Sequence, residues 1–319
     1  MALRTRLTDR LGIRYPVLQA PMGGTAGGAL AAAVSAAGGL GLIGGGLGAR
    51  DWLEREFKAA GNQRVGCGFI TWGLARQPES LDVAIAHAPA AILLSFGDAA
   101  PFIPKIKAAG LPVICQIQTV AMAREALRQG ADIIVAQGAE AGGHGGGRAT
   151  LPLVPAVVDV AAAENPDALV VAAGGIADGR GLAAALMLGA SGVMLGTTFH
   201  VAAESLASPV AKARIVASNG DNTIRTRVFD IVRDAPWPAE FTGRALANLL
   251  TTAWHGREAA LATDAAEKAR YATAQRDEAF DTAVVWAGEG IDLINTVEPA
   301  AGTVKRHGAQ RTRPFREVE

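Results

Sequence analysis

Short apolar runs alternate with alanine-rich helical stretches from the N-terminus to about residue 216, and this alternation narrows the possible folds more than any other feature. Strand candidates are Pro16–Gln19, Gly39–Ile43, Val65–Ile70, Ala91–Phe96, Pro112–Ile117, Asp132–Gln137, Leu169–Ala173 and Gly192–Leu195. Helical patterns lie near 27–37, 50–60, 79–87, 100–109, 119–129, 152–164, 178–188 and from 201 onward. Strands that alternate with helices predict a parallel sheet. Eight such units at even spacing predict an α/β fold of the closed (β/α)8 TIM-barrel type. An open doubly wound sheet is the alternative, but no change of pattern divides the run into halves.

The texture changes after residue 218. Asn219–Asn222 is a polar turn, and Thr223–Val232 alternates like an exposed strand. Helical stretches follow near 242–254, 257–262 and 276–287. The expected organisation is a barrel over 1–218, a smaller, mainly helical appended domain over 219–288 at the barrel mouth, and a tail over 289–319. In that tail Gly290–Asn295 is expected to return to the barrel wall as a final helix.

Thirty basic and thirty acidic residues cancel, and no basic stripe points to nucleic acid or an anionic membrane. Met22–Ala49 and Gly181–Phe199 are free of charge and long enough to be considered as membrane spans. Glycine clusters interrupt the first, and the second reads as helix, turn and strand, so both are expected inside an α/β core. The first ten residues contain no apolar signal core, which predicts a cytoplasmic protein. Cys67 and Cys115 lie in apolar strand-like runs and read as buried, reduced thiols. The few histidines and cysteines form no metal-ligand cluster, so no metal is expected.

In a barrel of this type the reactive groups sit at the C-terminal ends of the strands. The sixth candidate strand runs into Val135–Gly147 (VAQGAEAGGHGGG), where glycines surround a single imidazole, His144. Glycines allow sharp turns and close approach to a ligand, and the imidazole can titrate near neutral pH. His144 is therefore the catalytic candidate, the alternative being a solvated histidine in a turn. After the seventh and eighth strands come Gly174–Gly175 and Gly196–Thr197. Glycine amides before a helix can cradle a phosphate, and phosphate sites at these two strands recur in the fold. Gly39–Gly44 matches G-x-G-x-x-G, but it follows a helix and itself forms a strand, so it is no dinucleotide fingerprint. The other residues at the mouth, Met22, Gln116 and Gln137, are uncharged. Amides suit the edge of a heteroaromatic ring, and the lack of ionisable partners puts the hard chemistry on a bound cofactor. Phosphate plus an uncharged ring edge points to FMN and leaves other phosphorylated ligands open.

At these residues the chain resembles the nitronate monooxygenase family, formerly called 2-nitropropane dioxygenases. The likeness is carried by Gln19–Gly24 (QAPMGG), Ala37–Gly41 (AGGLG), the His144 loop, Ala172–Gly181 (AAGGIADGRG) and Leu188–Phe199 (LGASGVMLGTTF). It implies an FMN-dependent, metal-free enzyme that oxidises alkyl nitronates, and in some members neutral nitroalkanes, with dioxygen. It places Pro21, Met22 and Gly23 against the flavin. It sets Gln116 and Gln137 at the ring or ribityl chain, with Gly142 and Gly143 nearby. It puts Gly174, Gly175, Gly196 and Thr197 at the phosphate, counts Leu195 among the cofactor-binding residues, and makes His144 the base for the α-proton. A small-molecule substrate and dioxygen are the implied partners, with a homodimer as the candidate assembly.

This chain departs from relatives twice. Gly68 stands where many members have an asparagine, and Gln116 where some have a lysine. The lost charge would disfavour an anionic reduced flavin, which leaves the electron donor open. Similar chains are NAD(P)H:quinone reductases, and flavin-dependent enoyl-acyl-carrier-protein reductases share the glycine–histidine loop, so an NAD(P)H-dependent FMN quinone or enoyl reductase is the alternative. A flavin-binding protein without turnover is the reading from another class. Of the other histidines, His87 reads as a solvated helix end and His200 as a weaker candidate for the mouth. His255 and His307 fall in the appended part and tail. Arg225 and Arg227 read as a solvated pair on the polar strand.

Overall fold

The structure, a computed structural model, describes residues 3–309. Positions 1, 2 and 310–319, the ends of the N-terminal segment and the tail, lie outside the described residues. The strands are β1 (Val17–Gln19), β2 (Leu40–Gly46), β3 (Gly66–Ile70), β4 (Ile92–Ser95), β5 (Val113–Ile117), β6 (Ile133–Gln137), β7 (Gly143–Gly145), β8 (Leu169–Ala173), β9 (Gly192–Leu195), β10 (Thr223–Thr226) and β11 (Thr242–Leu246). Eight of them close into a barrel in the order β1-β2-β3-β4-β5-β6-β8-β9, all in parallel. The motif at Gly39–Gly44 runs into β2 and opens no helix.

Alternation along the strands sorts the core. Leu18, Leu42, Leu93, Ile114, Ile133, Val135, Val171 and Met194 pack together in the barrel interior. Their neighbours in sequence, among them Ile43, Leu94, Cys115, Ile134, Val170 and Leu195, pack outward against the helices, as does Cys67 of β3. Period-two alternation of a strand's side chains produces this division. Both thiols are buried and free, and burial raises them, Cys115 up to about 12. They are core packing rather than nucleophiles. A helix that the hydrophobic alternation does not reveal, Arg6–Leu11, carries Leu7 and Leu11 into the interior cluster and plugs one end of the barrel. Thr5 and Thr8 cap it reciprocally, and Gly12 ends it in the left-handed region.

Several expectations change beyond the barrel: of the helical stretches expected near 242–254 and 276–287, Thr242–Leu246 is a strand ahead of a helix at Leu249–Trp254, and the last helix of the appended segment is Ala265–Arg276, ending where the second was expected to begin. The chain after 201 turns through Ser205 and becomes helical only at Pro209–Val216, with a short helix, Thr197–His200, preceding it. The exposed strand expected over Thr223–Val232 stops at Thr226, and Val228–Val232 is a helix. Gly290–Asn295 contributes a 3-10 turn at Glu289–Leu293 instead of a wall helix. It is Ala300–Ala309 that packs on β1 and on the helices Gly28–Ala36 and Gly179–Met187. The appended segment has its own small core of Val228, Phe229, Val232, Leu250, Leu261 and Tyr271. No helix among the described residues is long and apolar enough to cross a membrane.

Candidate active site

The top inward layer of the barrel is built from small or amide side chains, and this leaves a cavity of about 320 Å³ at the C-terminal ends of the strands. Ala20, Gly68, Ser95, Gln116, Gln137 and Ala173 form its floor and walls. Pro21, Met22, Gly23, Gly142, Gly143, His144, Gly174, Gly175, Gly196 and Thr197 also line it. Leu195 does not: it points outward into the core between barrel and helices, as its place in the strand alternation requires.

Gly174 and Gly175 both adopt positive φ, 108° and 68°, which turns consecutive backbone units toward the cavity. At Gly196 a Cβ would meet only Ala20 Cβ at 3.8 Å and Met22 Sδ at 3.9 Å, so it would project into open space. This backbone cradle fits a phosphate group. The Gln116 side chain lines the cavity and makes no hydrogen bond among the described residues, so its amide is free to meet a ring edge. Gln137 has a second task that its position in the sequence does not disclose. Its Oε1 accepts from Gln118 at 2.8 Å and its Nε2 donates to the His144 carbonyl at 2.9 Å, which ties the histidine loop to β6.

The loop after β6 is held from outside the barrel. β7 pairs with β11, placing Gly243 opposite His144, and β11 pairs with β10. A Cβ at Gly243 would lie 2.3 Å from Trp286, so the absent side chain admits that indole beside the imidazole. Arg225 is not solvated. It is largely buried, donates to the carbonyls of Ala139, Ala141 and Thr242, and is pushed down to about 10 by burial and by Arg244. Arg244 donates to the same Ala139 carbonyl at 2.9 Å. Glu140 lines the cavity while its carboxylate accepts from the amide and hydroxyl of Thr150 at the start of a helix.

His144 lies between these elements with its side chain 10% exposed. Its Nε2 is 3.0 Å from both carboxylate oxygens of Asp230, a residue on the Val228–Val232 helix. Trp237 stacks on one ring face at 3.4 Å and 6°, and Trp286 lies at 5.1 Å. Trp237 in turn meets Trp72 and Phe96 edge-on. Burial lowers the His144 pKa, Asp230 opposes this, and Arg233 and Arg225 add to the lowering. The net direction leaves the imidazole neutral at pH 7. Asp230, Arg233, Trp237 and Trp286 carry no local signature, and only the strand pairing brings them to His144. His200 does line the cavity, where burial and Lys212 push it down to about 4. His87 caps a helix end, stacked on Phe57 and bonded to Glu54. No cluster of potential metal ligands occurs among the described residues.

The family model for nitronate monooxygenase matches residues 4–63 and 73–306. The chain belongs to the nitronate monooxygenase family. A nitronate monooxygenase of Neurospora crassa is 33% identical, with 91% of this chain and 87% of that protein covered. Among solved structures, FabK from Thermotoga maritima superposes with a TM-score of 0.82 at 29% identity, covering 95% of this chain and 94% of that one. The nitroalkane oxidase from Streptomyces ansochromogenes gives 0.79 at 26% identity over 96% and 97%. Members of this family are flavin enzymes, and the barrel, the cavity at its mouth and the glycine cradle are in keeping with that.

Proposed function

We propose that this protein is an FMN-dependent nitronate monooxygenase that oxidises alkyl nitronates and neutral nitroalkanes, with His144 as the base for the neutral substrates. The observation that carries the reading is the buried His144 imidazole, whose lowered pKa leaves it neutral at pH 7, lining the same cavity as the glycine turns Gly174–Gly175 and Gly196. Gly174, Gly175, Gly196 and Thr197 would hold the phosphate, with Pro21, Met22, Gly23, Gln116, Gly142 and Gly143 around the remainder. FMN, when bound there, supplies an acceptor for the substrate's electrons and a route from them to dioxygen.

The residues of the chain supply the proton chemistry. A neutral nitroalkane must lose its α-proton, and the C–H electron pair moves into the C=N bond of the nitronate. A neutral imidazole can accept that proton, whereas an imidazolium cannot. Trp237 and Trp286 shield the ring from bulk water, which keeps the acceptor desolvated. Activity on neutral nitroalkanes should therefore rise with pH through a His144 pKa below the ordinary 6.5 and level off near neutrality.

The test is His144→Ala. It should lose on the order of 10²–10⁴-fold on a neutral nitroalkane, the usual worth of a positioned base. A pre-formed nitronate has already lost the proton, so activity on it should fall far less, and FMN content should stay near that of the parent. Equal losses on both substrates would show that the imidazole binds the nitro group instead. The likeness to FabK favours a second reading, an NAD(P)H-driven FMN reductase of quinones or enoyl groups. Anaerobic addition of each donor separates the two, because only the true reductant bleaches the bound flavin.

A further inference from the structure

A carboxylate can only accept hydrogen bonds, so a neutral imidazole facing one must carry its proton on the facing nitrogen. Asp230 is 2% exposed and presents both oxygens to His144 Nε2. Nδ1 has no hydrogen-bond partner among the described residues and remains the lone-pair nitrogen available to a molecule in the cavity. Asp230 Oδ1 also accepts from Arg233 Nη2 at 3.0 Å. Arg233 is itself anchored, donating from Nε to the Phe229 carbonyl at 2.6 Å and lying over the Trp286 ring at 5.5 Å.

We propose that Asp230 is a positioning residue that fixes His144 as the Nε2–H tautomer with Nδ1 as the base, and that Arg233, by sharing the carboxylate, keeps that proton from being held too tightly. The proposal rests on His144 acting as the base. A buried carboxylate alone would favour the imidazolium, which takes no proton from a substrate. An arginine on the same carboxylate offsets that pull without removing the hydrogen bond that orients the ring.

The charged groups that act on the imidazole are Asp230 from the Val228–Val232 helix, Arg233 from its C-terminal cap and Arg225 from β10. Arg244 on β11 is turned to Ala139 and Glu289, Glu140 is engaged by Thr150, and the Tyr271 hydroxyl accepts from the Val284 amide. His144's partners in β7 and its two indole neighbours are uncharged.

Asp230→Asn makes the sharpest perturbation. An amide has one acceptor oxygen. Arg233 holds that oxygen at the Oδ1 position, so the NH2 group takes the Oδ2 position, 3.0 Å from Nε2, where a second donor disfavours a proton on Nε2 and shifts it to Nδ1. This is the wrong tautomer, as in a serine protease triad whose aspartate becomes asparagine. The flavin-loaded protein, labelled with ¹⁵N-histidine and assigned against His144→Gln, should show protonated Nε2 in the parent and protonated Nδ1 in Asp230→Asn. Turnover of a neutral nitroalkane should fall on the order of 10²-fold or more, with pre-formed nitronate affected far less. Arg233→Met should move the acid limb of the neutral-nitroalkane profile to higher pH. Combined with Asp230→Asn it should recover at least about tenfold, because the asparagine oxygen is then free to accept from Nε2–H.

A merely structural Asp230 would give no tautomer change and no recovery in the double variant. Finding the Nε2–H tautomer unchanged in Asp230→Asn, with flavin occupancy intact, would overturn the proposal even if His144→Ala behaves as a base variant. If His144→Ala spares neutral nitroalkanes, the base reading falls separately, while the ¹⁵N spectra still decide what Asp230 does to the ring.

Discussion

Gly196 offers a substitution whose cost falls on the cofactor and not on the fold. Its backbone lies at φ −104°, ψ −75°, outside the left-handed region, so a side chain introduces no strain of that kind. Its nearest Cβ neighbours, at 3.8 and 3.9 Å, are at ordinary contact distance. Gly196→Ala should therefore change the stability of the flavin-free protein by no more than about 0.5 kcal/mol, as for an uncrowded surface site. A phosphate oxygen must come within about 2.7–3.2 Å of an amide nitrogen to bond it. A methyl group in that space holds the oxygen farther off. Charge-assisted hydrogen bonds are worth about 1.5–3 kcal/mol each. Loss of two corresponds to roughly 10²–10⁴-fold weaker FMN binding, at 1.4 kcal/mol per decade. Gly196→Val, with two more methyl groups, should sit at the weak end of that range and purify colourless. Fluorescence titration of the flavin-free protein with FMN, beside thermal unfolding of the same samples, measures both quantities. Parent-like affinity in Gly196→Val would refute the assignment of this turn to the phosphate, and a collapse in stability would refute the reading of the space beside it as open.

Two further substitutions test the surroundings. A Cβ at Gly68 would stand 2.3 Å from Pro21 Cγ and 2.6 Å from its Cβ, so Gly68→Asn should force Pro21 toward the cavity. The expected results are a loss of about 1–3 kcal/mol in stability and weaker FMN binding, and a variant equal to the parent in both would show that Pro21 yields freely. His200 is held near pKa 4 in the folded chain against about 6.5 unfolded, so the unfolded state binds the extra proton between those values. Stability from this group is therefore complete above pH 6.5 and is lost as the pH falls toward 4, on the order of 2 kcal/mol by pH 5. His200→Gln should flatten that part of the acid limb in denaturant titrations at pH 7 and 5. His144 and His307, also lowered by burial, keep the rest of it. An unchanged difference between the two pH values would remove His200 as the source.

The barrel and the place of its mouth were legible because both depend on local pattern. Period-two alternation chooses which side of a strand meets the interior, and a residue's rank in its strand then places it at the top or within a wall. That logic puts Gln116, Gln137, Gly174 and Gly196 at one cavity. Applied strictly, it also turns Leu195 away from the cavity, a step that proximity in sequence to Gly196 obscures. The glycines around His144 marked an exposed imidazole but not its environment. A strand as short and glycine-rich as Gly143–Gly145 carries no propensity of its own, so its pairing with Thr242–Leu246 is imposed from outside. The polar alternation through Thr223–Val232 likewise concealed a helix whose register is set by burying Val228, Phe229 and Val232.

The sequence by itself determined the parallel barrel, the end at which its cavity opens and a lone histidine in a glycine loop, since each follows from patterns a few residues long. Only the tertiary structure decided what that histidine is. Asp230 lies 86 positions away in sequence, and its carboxylate reaches Nε2 because β7 joins the sheet of the appended segment. Trp237 and Trp286 then remove the ring from water. Tautomer and proton affinity depend on desolvation and on charges within a few ångströms, and neither exists until the distant segments fold against the loop.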